Sequence, residues 1–517
     1  MTSMKRVYML VVLDGWGIGK RDESNPIFAA HPENILYAEN NFPAGALQAS
    51  GMAVGLPWDE EGNSEIGHLT IGAGKVLYQY YSRISLAIEN GTFFSNPELK
   101  SAFAHAKKNG STVHLIGLIG EGVVHSALSH LYALIKMAKA ENYQNLVIHA
   151  FSDGRDSSPR SAIKLIELVS AESAGTAKVA SVSGRYYAMD RDKHWDRTWA
   201  AYKNLTAHNK TCPLKEGIES AYSKGMNDEY VAPFSISGSE QPIRDNDSVI
   251  FFNFREDRMR QIYEAFMNKN FSQFETIKFN NLRVVTMTEY IKGADGAAFK
   301  EEIVEDTLGK VISSNGKTQL RIAETEKYAH ITYFFNGRRE KPYTNEYRVL
   351  IPSRNTPHYE DCPEMMASEI TDRAVLALDE GGFDFVLVNY ANTDIVAHTG
   401  KYGATVEAVR TVDREIGRLM KSALAGNHVL FITSDHGNAE SVMDPITGEE
   451  ETKHNPNPVP FYIVCKEFAG RGKNSRTRAA KIPTIGILSD VAPTVLAVMG
   501  MEKPQGMTGQ NLLDQML

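Results

Sequence analysis

Short apolar runs that stop abruptly at a polar residue recur along this chain, and they limit the folds open to it. Residues 7–13 end at Asp14-Gly15, 113–118 run into Gly120-Glu121-Gly122, and 146–150 lead to Asp153-Gly154-Arg155-Asp156. Residues 178–183 end at Gly184-Arg185, and 249–253 precede Arg255 and Arg258. Later, 383–388 precede Asn392-Thr393-Asp394, and 428–433 precede Ser434-Asp435-His436. Stretches with helical periodicity lie between such runs, at 129–140, 161–170 and 195–205. β-rich runs alternating with helices predict mostly parallel sheets flanked by helices, an α/β fold. Open sheets of that kind put their ligand crevices beyond the carboxyl ends of the strands. The candidate polar groups fall there repeatedly.

A chain of 517 residues exceeds what one compact core supports, so two domains are expected. The candidate residues divide in a telling way. Asp14 and Ser64 lie near the start, yet their plausible partners lie beyond residue 300. A discontinuous domain of residues 1–78 and 300–517 follows, with 79–299 inserted as a second, arginine-rich domain. At 42% hydrophobic and 23% charged residues, the composition is that of an ordinary soluble protein. No apolar run is long enough to span a bilayer, and 7–13 is too short for a signal-peptide core. Cys212, Cys362 and Cys465 are too few and too scattered for a disulfide scaffold or a cysteine-rich zinc module. A cytoplasmic protein is expected, with no membrane partner.

The formal net charge of −8 argues against a general nucleic-acid binder. It leaves room for an anionic small molecule, because a local arginine cluster can focus positive potential within an acidic protein.

Metal-ligating residue types gather in the expected outer domain. Asp394 and His398 are four apart and would share one face of a helix. Asp435 and His436 are adjacent, so a loop after a strand must splay them. His454 precedes Asn455-Pro456-Asn457-Pro458, which holds the backbone extended. Each has a plain alternative: Asp14-Gly15 as a turn, Ser64 as a helix cap, His454 as a solvated loop residue. Their joint occurrence at strand ends favours a site. Mixed nitrogen and oxygen donors without thiolate suit manganese, zinc or magnesium. A serine beside such ions, here Ser64 in Gly62-Asn63-Ser64-Glu65-Ile66-Gly67-His68, becomes a strong nucleophile.

The inserted segment offers His125, Asp153, Arg155, Asp156, Arg185, Arg191, Arg255 and Arg258. Arginine's planar fork pairs in bidentate fashion with carboxylate or phosphate and stays charged at any relevant pH. Several at strand ends suit a small ligand carrying both groups. Asp156 is a candidate general base and His125 a candidate phosphate contact. Lys327, within Glu324-Thr325-Glu326-Lys327-Tyr328, is placed to neutralise phosphoryl charge.

At these motifs, and at Gly184-Arg185-Tyr186-Tyr187, Asn389-Tyr390-Ala391-Asn392 and Ser434-Asp435-His436-Gly437-Asn438, the chain closely resembles the cofactor-independent phosphoglycerate mutases of the alkaline-phosphatase-like superfamily. The resemblance runs almost end to end. It implies a metal-binding phosphatase-like domain with an inserted phosphotransferase domain. It implies one Mn2+ held by Asp394, His398 and His454, and a second held by Asp14, Ser64, Asp435 and His436. Substrate contacts would come from His125, Arg155, Asp156, Arg185, Arg191, Arg255, Arg258 and Lys327. The implied reaction interconverts 3-phosphoglycerate and 2-phosphoglycerate in glycolysis and gluconeogenesis, through a phosphoserine on Ser64 and without 2,3-bisphosphoglycerate. Asp156 would deprotonate the second hydroxyl of glycerate, hinge motion would close the site against water, and the protein would be a monomer. Ile395, Ala397, Asn455-Pro456, Arg338 and Gly506 depart from the family pattern, but none removes a ligand. A metal phosphatase, a pentose-phosphate mutase and a catalytically silent phospho-ligand sensor remain the rival readings. The arginine set, suited to a carboxylate, speaks against the pentose phosphate.

Overall fold

The computed structural model describes residues 5–207, 210–444, 447–471 and 482–517. Its chain forms two compact units, one of residues 1–78 with 303–517 and the other of 79–302. In chain order the strands are β1 (Tyr8–Leu13), β2 (Ala44–Gln48), β3 (Val113–Ile119), β4 (Leu146–Ser152), β5 (Ala177–Gly184), β6 (Thr211–Cys212), β7 (Phe234–Ile236) and β8 (Ser248–Phe251). They continue as β9 (Arg283–Thr288), β10 (Ala297–Phe299), β11 (Gln319–Glu324), β12 (Glu346–Ile351), β13 (Phe385–Tyr390), β14 (Val429–Thr433), β15 (Val459–Val464) and β16 (Thr484–Ile487).

Each unit is built on one eight-stranded sheet. The discontinuous unit orders its strands β12-β11-β13-β1-β14-β15-β2-β16, and the inserted unit β10-β9-β8-β3-β4-β5-β7-β6. Pairing is mostly parallel. The exceptions are β15, antiparallel to β14 and β2, and the β5–β7 pair. The fold class is thus the α/β class that the alternation predicts.

The central strands read as continuous apolar runs because helices cover both faces of each sheet. In β1, Met9, Val11 and Leu13 enter one core cluster while Leu10 and Val12 enter the cluster on the opposite face. In β13, Val386 and Val388 alternate in the same way with Phe385 and Leu387. The inserted unit repeats the plan, with Leu115 and Ile119 of β3 on one face and Ile116 and Leu118 on the other. Among the described residues, no helix is long and apolar enough to cross a membrane.

Strand order explains why residues far apart in sequence meet. In the first unit β11, β13, β1 and β14 are parallel neighbours. Their carboxyl ends carry Lys327, Asp394, Asp14 and Asp435-His436 in that order. In the second unit β8, β3, β4 and β5 are parallel neighbours. Their carboxyl ends lead to Arg255 and Arg258, to His125, to Arg155 and Asp156, and to Arg185.

Leu115 and Leu387 are fully buried in separate cores. Truncating either to alanine is expected to cost about 2–5 kcal/mol. Hydrogen exchange read by mass spectrometry then accelerates within 79–302 for Leu115→Ala, and within 1–78 and 303–517 for Leu387→Ala. Equal loosening of both units by one variant would contradict two independent cores.

Candidate active site

Ser64 is the first residue of helix Ser64–Ala73, and the cap is its neighbour: the Asn63 side chain accepts from the Ile66 amide at 3.0 Å. The serine is therefore neither in a glycine-bounded loop nor the capping residue. It sits at the positive end of a buried helix. Two glycines let that helix approach its surroundings. A Cβ at Gly67 would stand 2.5 Å from the Asp435 carbonyl oxygen, and one at Gly72 would stand 2.0 Å from that of Phe335.

Three polar atoms converge on Ser64 Oγ. Lys327 Nζ donates to it at 2.7 Å, Asp14 Oδ1 lies at 3.0 Å and His436 Nε2 at 2.9 Å. Lys327 also donates to Asp14 Oδ1 at 2.5 Å and to Asp394 Oδ2 at 2.6 Å. All of these groups are buried.

The imidazoles are aimed by their second nitrogens. His398 Nδ1 faces the Thr452 carbonyl at 2.8 Å, His454 Nδ1 the Gly62 carbonyl at 2.8 Å, and His436 Nδ1 the Gly437 carbonyl at 3.3 Å. A carbonyl only accepts, so each Nδ1 keeps its proton and Nε2 is the nitrogen left to hold a further proton or a metal ion. Those Nε2 atoms crowd together with carboxylates. His398 Nε2 and His454 Nε2 are 3.1 Å apart, and they lie 3.2 and 3.3 Å from Asp394 Oδ1. His436 Nε2 lies 3.5 Å from Asp14 Oδ1 and 3.6 Å from Asp435 Oδ2. Asp435 Oδ2 is buried 3.0 Å from His68 Nδ1.

Ligand atoms of Asp394, His398 and His454 all fall within 4.8 Å of one another, and so do those of Asp14, Asp394 and His436. Two lone pairs cannot bond each other; a proton or a metal ion must stand between them. The donor set fits divalent cations that accept nitrogen and oxygen together.

Charge in the pocket follows from this crowding. Burial alone would raise the Asp14 and Asp394 carboxyls, but the Lys327 ammonium overrides it and holds both well below the usual carboxylate range. Burial would likewise lower Lys327, yet Asp14 and Asp394 push it above its ordinary value. His436, also disfavoured as a cation by burial, is pushed up to about 9 by Asp435, Asp14 and Asp394. Its hydrogen bond to Asp394 raises His398 too.

The inserted unit holds the second predicted set. Arg185 donates from Nη1 to Asp153 Oδ1 at 2.5 Å and to Asp156 Oδ2 at 2.6 Å. His125 Nε2 is 3.8 Å from the same Asp156 oxygen. Asp257 ties in three more groups, with Arg191 at 2.8 Å, Arg255 at 3.2 Å and His125 Nδ1 at 3.9 Å. Arg258 donates to the Met189 carbonyl at 3.3 Å. Its charge is disfavoured first by burial and then by Arg185, Arg191 and Arg155. Arg155 itself is largely exposed, 3.8 Å from Glu229. Burial, Arg185 and Arg255 lower the His125 imidazole to about 4.

The structure gathers Asp14, Ser64, Lys327, Asp394, His398, Asp435, His436 and His454 in one unit. It gathers His125, Arg155, Asp156, Arg185, Arg191, Arg255 and Arg258 in the other. Several supporting groups escaped the sequence reading. Asn389 donates to Asp14 Oδ2 at 2.7 Å and to His68 Nε2 at 3.0 Å, while His68 Nδ1 faces the Ser64 carbonyl at 2.8 Å. Asn438 donates to Asp394 Oδ1 at 2.7 Å. Asn389, Asn438 and His68 lie inside the motifs quoted above, and that proximity was their only signal. Asp257, between Arg255 and Arg258, gave none.

Two family models match the chain. The family model described as "BPG-independent PGAM N-terminus" matches residues 84–292, and that described as "Type I phosphodiesterase / nucleotide pyrophosphatase" matches 299–452. A 2,3-bisphosphoglycerate-independent phosphoglycerate mutase of Methanosarcina acetivorans is 45% identical, covering 99% of this chain and 98% of that protein. The corresponding protein of Clostridium kluyveri is 44% identical over 98% and 99%. Among solved structures, Leishmania mexicana phosphoglycerate mutase superposes with a TM-score of 0.54 at 28% identity, covering 98% and 97% of the two chains. With full-length relatives at this identity, the chain belongs to the 2,3-bisphosphoglycerate-independent phosphoglycerate mutases, a family of isomerases.

Proposed function

We propose that this phosphoglycerate mutase interconverts 3-phosphoglycerate and 2-phosphoglycerate by parking the phosphoryl group on Ser64, in glycolysis and gluconeogenesis. One observation carries the reading: a buried serine hydroxyl stands within 3.0 Å of an ammonium, a carboxylate and an imidazole.

Asp394, His398 and His454 would hold one divalent cation and Asp14, Ser64, Asp435 and His436 the other, Mn2+ in our reading. Bound there, the cations supply positive charge that favours a deprotonated serine and offsets charge on a transferring phosphoryl group. The chain's own residues do the rest. Asp14, to which Ser64 Oγ donates at 3.0 Å, can take the serine's proton, and Lys327 keeps a positive charge beside Oγ as it attacks phosphorus. Helix Ser64–Ala73 turns its positive end toward the phosphate that Ser64 would carry. Arg155, Arg185, Arg191, Arg255 and Arg258 would bind carboxylate and phosphate of the substrate. Asp156 would remove the proton from the accepting hydroxyl once glycerate has turned. Arg185 is held on Asp153 as well as Asp156, so it stays oriented when Asp156 acts.

Ser64→Ala is the direct test. Purified protein with Mn2+ and 3-phosphoglycerate, assayed without 2,3-bisphosphoglycerate, is expected to form 2-phosphoglycerate. The variant should lose at least about 10³-fold in kcat, as enzymes do when a nucleophile is removed. Release of free phosphate without 2-phosphoglycerate would replace the reading by a phosphatase. Undiminished mutase activity of Ser64→Ala would end it.

A second test uses His125. With its folded value lowered to about 4 against 6.5 for the free side chain, it favours the neutral ring. Its contribution to stability is present above about 6.5 and is lost as pH falls toward 4. A phosphate binding beside it raises that value again, so 3-phosphoglycerate should bring protons into the protein near pH 5.5–6. Calorimetry in buffers of different ionisation enthalpy reads this uptake. His125→Asn should remove the share that belongs to the imidazole. Identical uptake in the variant would separate His125 from the substrate phosphate.

A further inference from the structure

The carboxylate of Glu440 is among the most enclosed in the discontinuous unit, at 3% exposure, and it ligates nothing in the scheme above. Its contacts fall on three loops, and each of those loops carries candidate metal ligands. Oε2 accepts from the Gly17 amide at 2.9 Å and from the Asn438 amide at 3.0 Å. Oε1 accepts from Asn457 Nδ2 at 3.1 Å. Gly17 lies three residues after Asp14, Asn438 two after His436, and Asn457 three after His454.

The loops have been cleared of side chains to let this carboxylate in. A Cβ at Gly17 would stand 1.9 Å from Glu440 Oε1, one at Gly437 would stand 2.5 Å from the same oxygen, and one at Gly19 would stand 2.9 Å from Cγ. Backbone bonds stitch the same three segments together around it: Ile18 to Pro458 at 2.7 Å, Ala439 to Gly15 at 2.9 Å, and Asn455 to Gly437 at 3.2 Å.

We propose that Glu440 is a positioning residue, a single buried carboxylate that sets the spacing of the Asp14, Asp435-His436 and His454 loops and thereby the affinity of the metal centre. The proposal rests on the metal reading given above. A carboxylate is suited to this place because it accepts on both oxygens and donates on neither. Ligand groups are held to useful distances only when the shell behind them is itself hydrogen-bonded. A glutamine keeps one oxygen on the Gly17 and Asn438 amides, and its NH2 can meet Asn457 if that side chain turns its amide over. Alanine leaves all three donors unanswered.

Mn2+ is titrated calorimetrically into chelator-stripped wild type, Glu440→Ala, Glu440→Gln and Asn457→Ala, and each metal-free protein is melted in parallel. Glu440→Ala is expected to bind Mn2+ about 10–100-fold more weakly, and Glu440→Gln to stay within about threefold of wild type. Asn457→Ala, which deletes one contact at a half-buried position, should fall between them. It also carries the test if Glu440→Ala does not fold. Wild-type affinity in both alanine variants, with only the metal-free melting temperature lowered, would reduce Glu440 to a core residue and overturn the proposal. A loss in Glu440→Gln equal to that in Glu440→Ala would also overturn it, since charge rather than loop spacing would then be responsible. A wild-type chain that takes up no Mn2+ would instead defeat the metal reading, and the positioning role with it.

Discussion

Three carboxylates, Asp14, Asp394 and Asp435, are buried within a few ångströms of one serine, and everything else in that unit answers to their charge. Taking one carboxylate out of water costs several kcal/mol unless it is paired, and placing three together multiplies the difficulty. Lys327 meets two of them directly, at 2.5 and 2.6 Å. His436, raised to about 9, takes up further charge as a proton at neutral pH. Asp435 Oδ2 has only His68 Nδ1 at 3.0 Å, a nitrogen it shares with the Ser64 carbonyl at 2.8 Å. A pocket of this kind does not form to make a core; apolar side chains would fill the space with less opposition. It makes sense as a place whose negative charge is balanced by cations, and whose unbalanced part is available to them. Family membership and donor chemistry lead to the same place from opposite directions.

The consequences reach into the backbone. Parallel strands present their ends in a row, so β11, β13, β1 and β14 deliver one or two groups each without any long loop. The segments that follow the strands are instead tightly packed, which requires absent side chains. Gly15, at a φ of 71°, adopts a conformation glycine favours, and a Cβ there would stand 2.9 Å from Asp394 Cα. Gly67 allows the helix behind Ser64 to lie against the Asp435 backbone. These glycines are the price of putting many charged groups in one volume, and they are why the motifs look glycine-rich.

That same density decides what the sequence disclosed. Strand ends were legible because buried parallel strands read as apolar runs and the residue after each run is polar. The helix that begins at Ser64 was not. Nine of its ten residues are buried, so no polar stripe alternates with an apolar one, and its two interior glycines read as loop. The candidate ligands stood out as histidines and aspartates at strand ends, but the groups that hold them did not. Asn389, Asn438 and Asp257 are ordinary polar residues until their partners are known, and those partners lie on other strands or loops. Asp257 links Arg191, 66 positions earlier, to Arg255. A short motif can name the chemistry of a site; the hydrogen bonds that fix its geometry are long-range and become visible only with the fold.

The inserted unit meets the opposite electrostatic problem with the same architecture. Burial first, and then Arg185, Arg191 and Arg155, disfavour the charge on Arg258, so arginines gathered this closely need carboxylates beside them. Asp153, Asp156 and Asp257 supply these. Under the proposed function, a ligand bearing carboxylate and phosphate would replace some of those contacts rather than create charge pairs from nothing. That would favour discrimination over raw affinity, because an anion lacking either group would leave arginines committed to their own aspartates. The net charge of −8 is compatible with this design for the same reason: the positive potential is local, screened at a distance, and expressed only where the strand ends gather it. Two sheets of one architecture thus gather opposite charges at their carboxyl edges, carboxylates around Lys327 in one and arginines held by aspartates in the other.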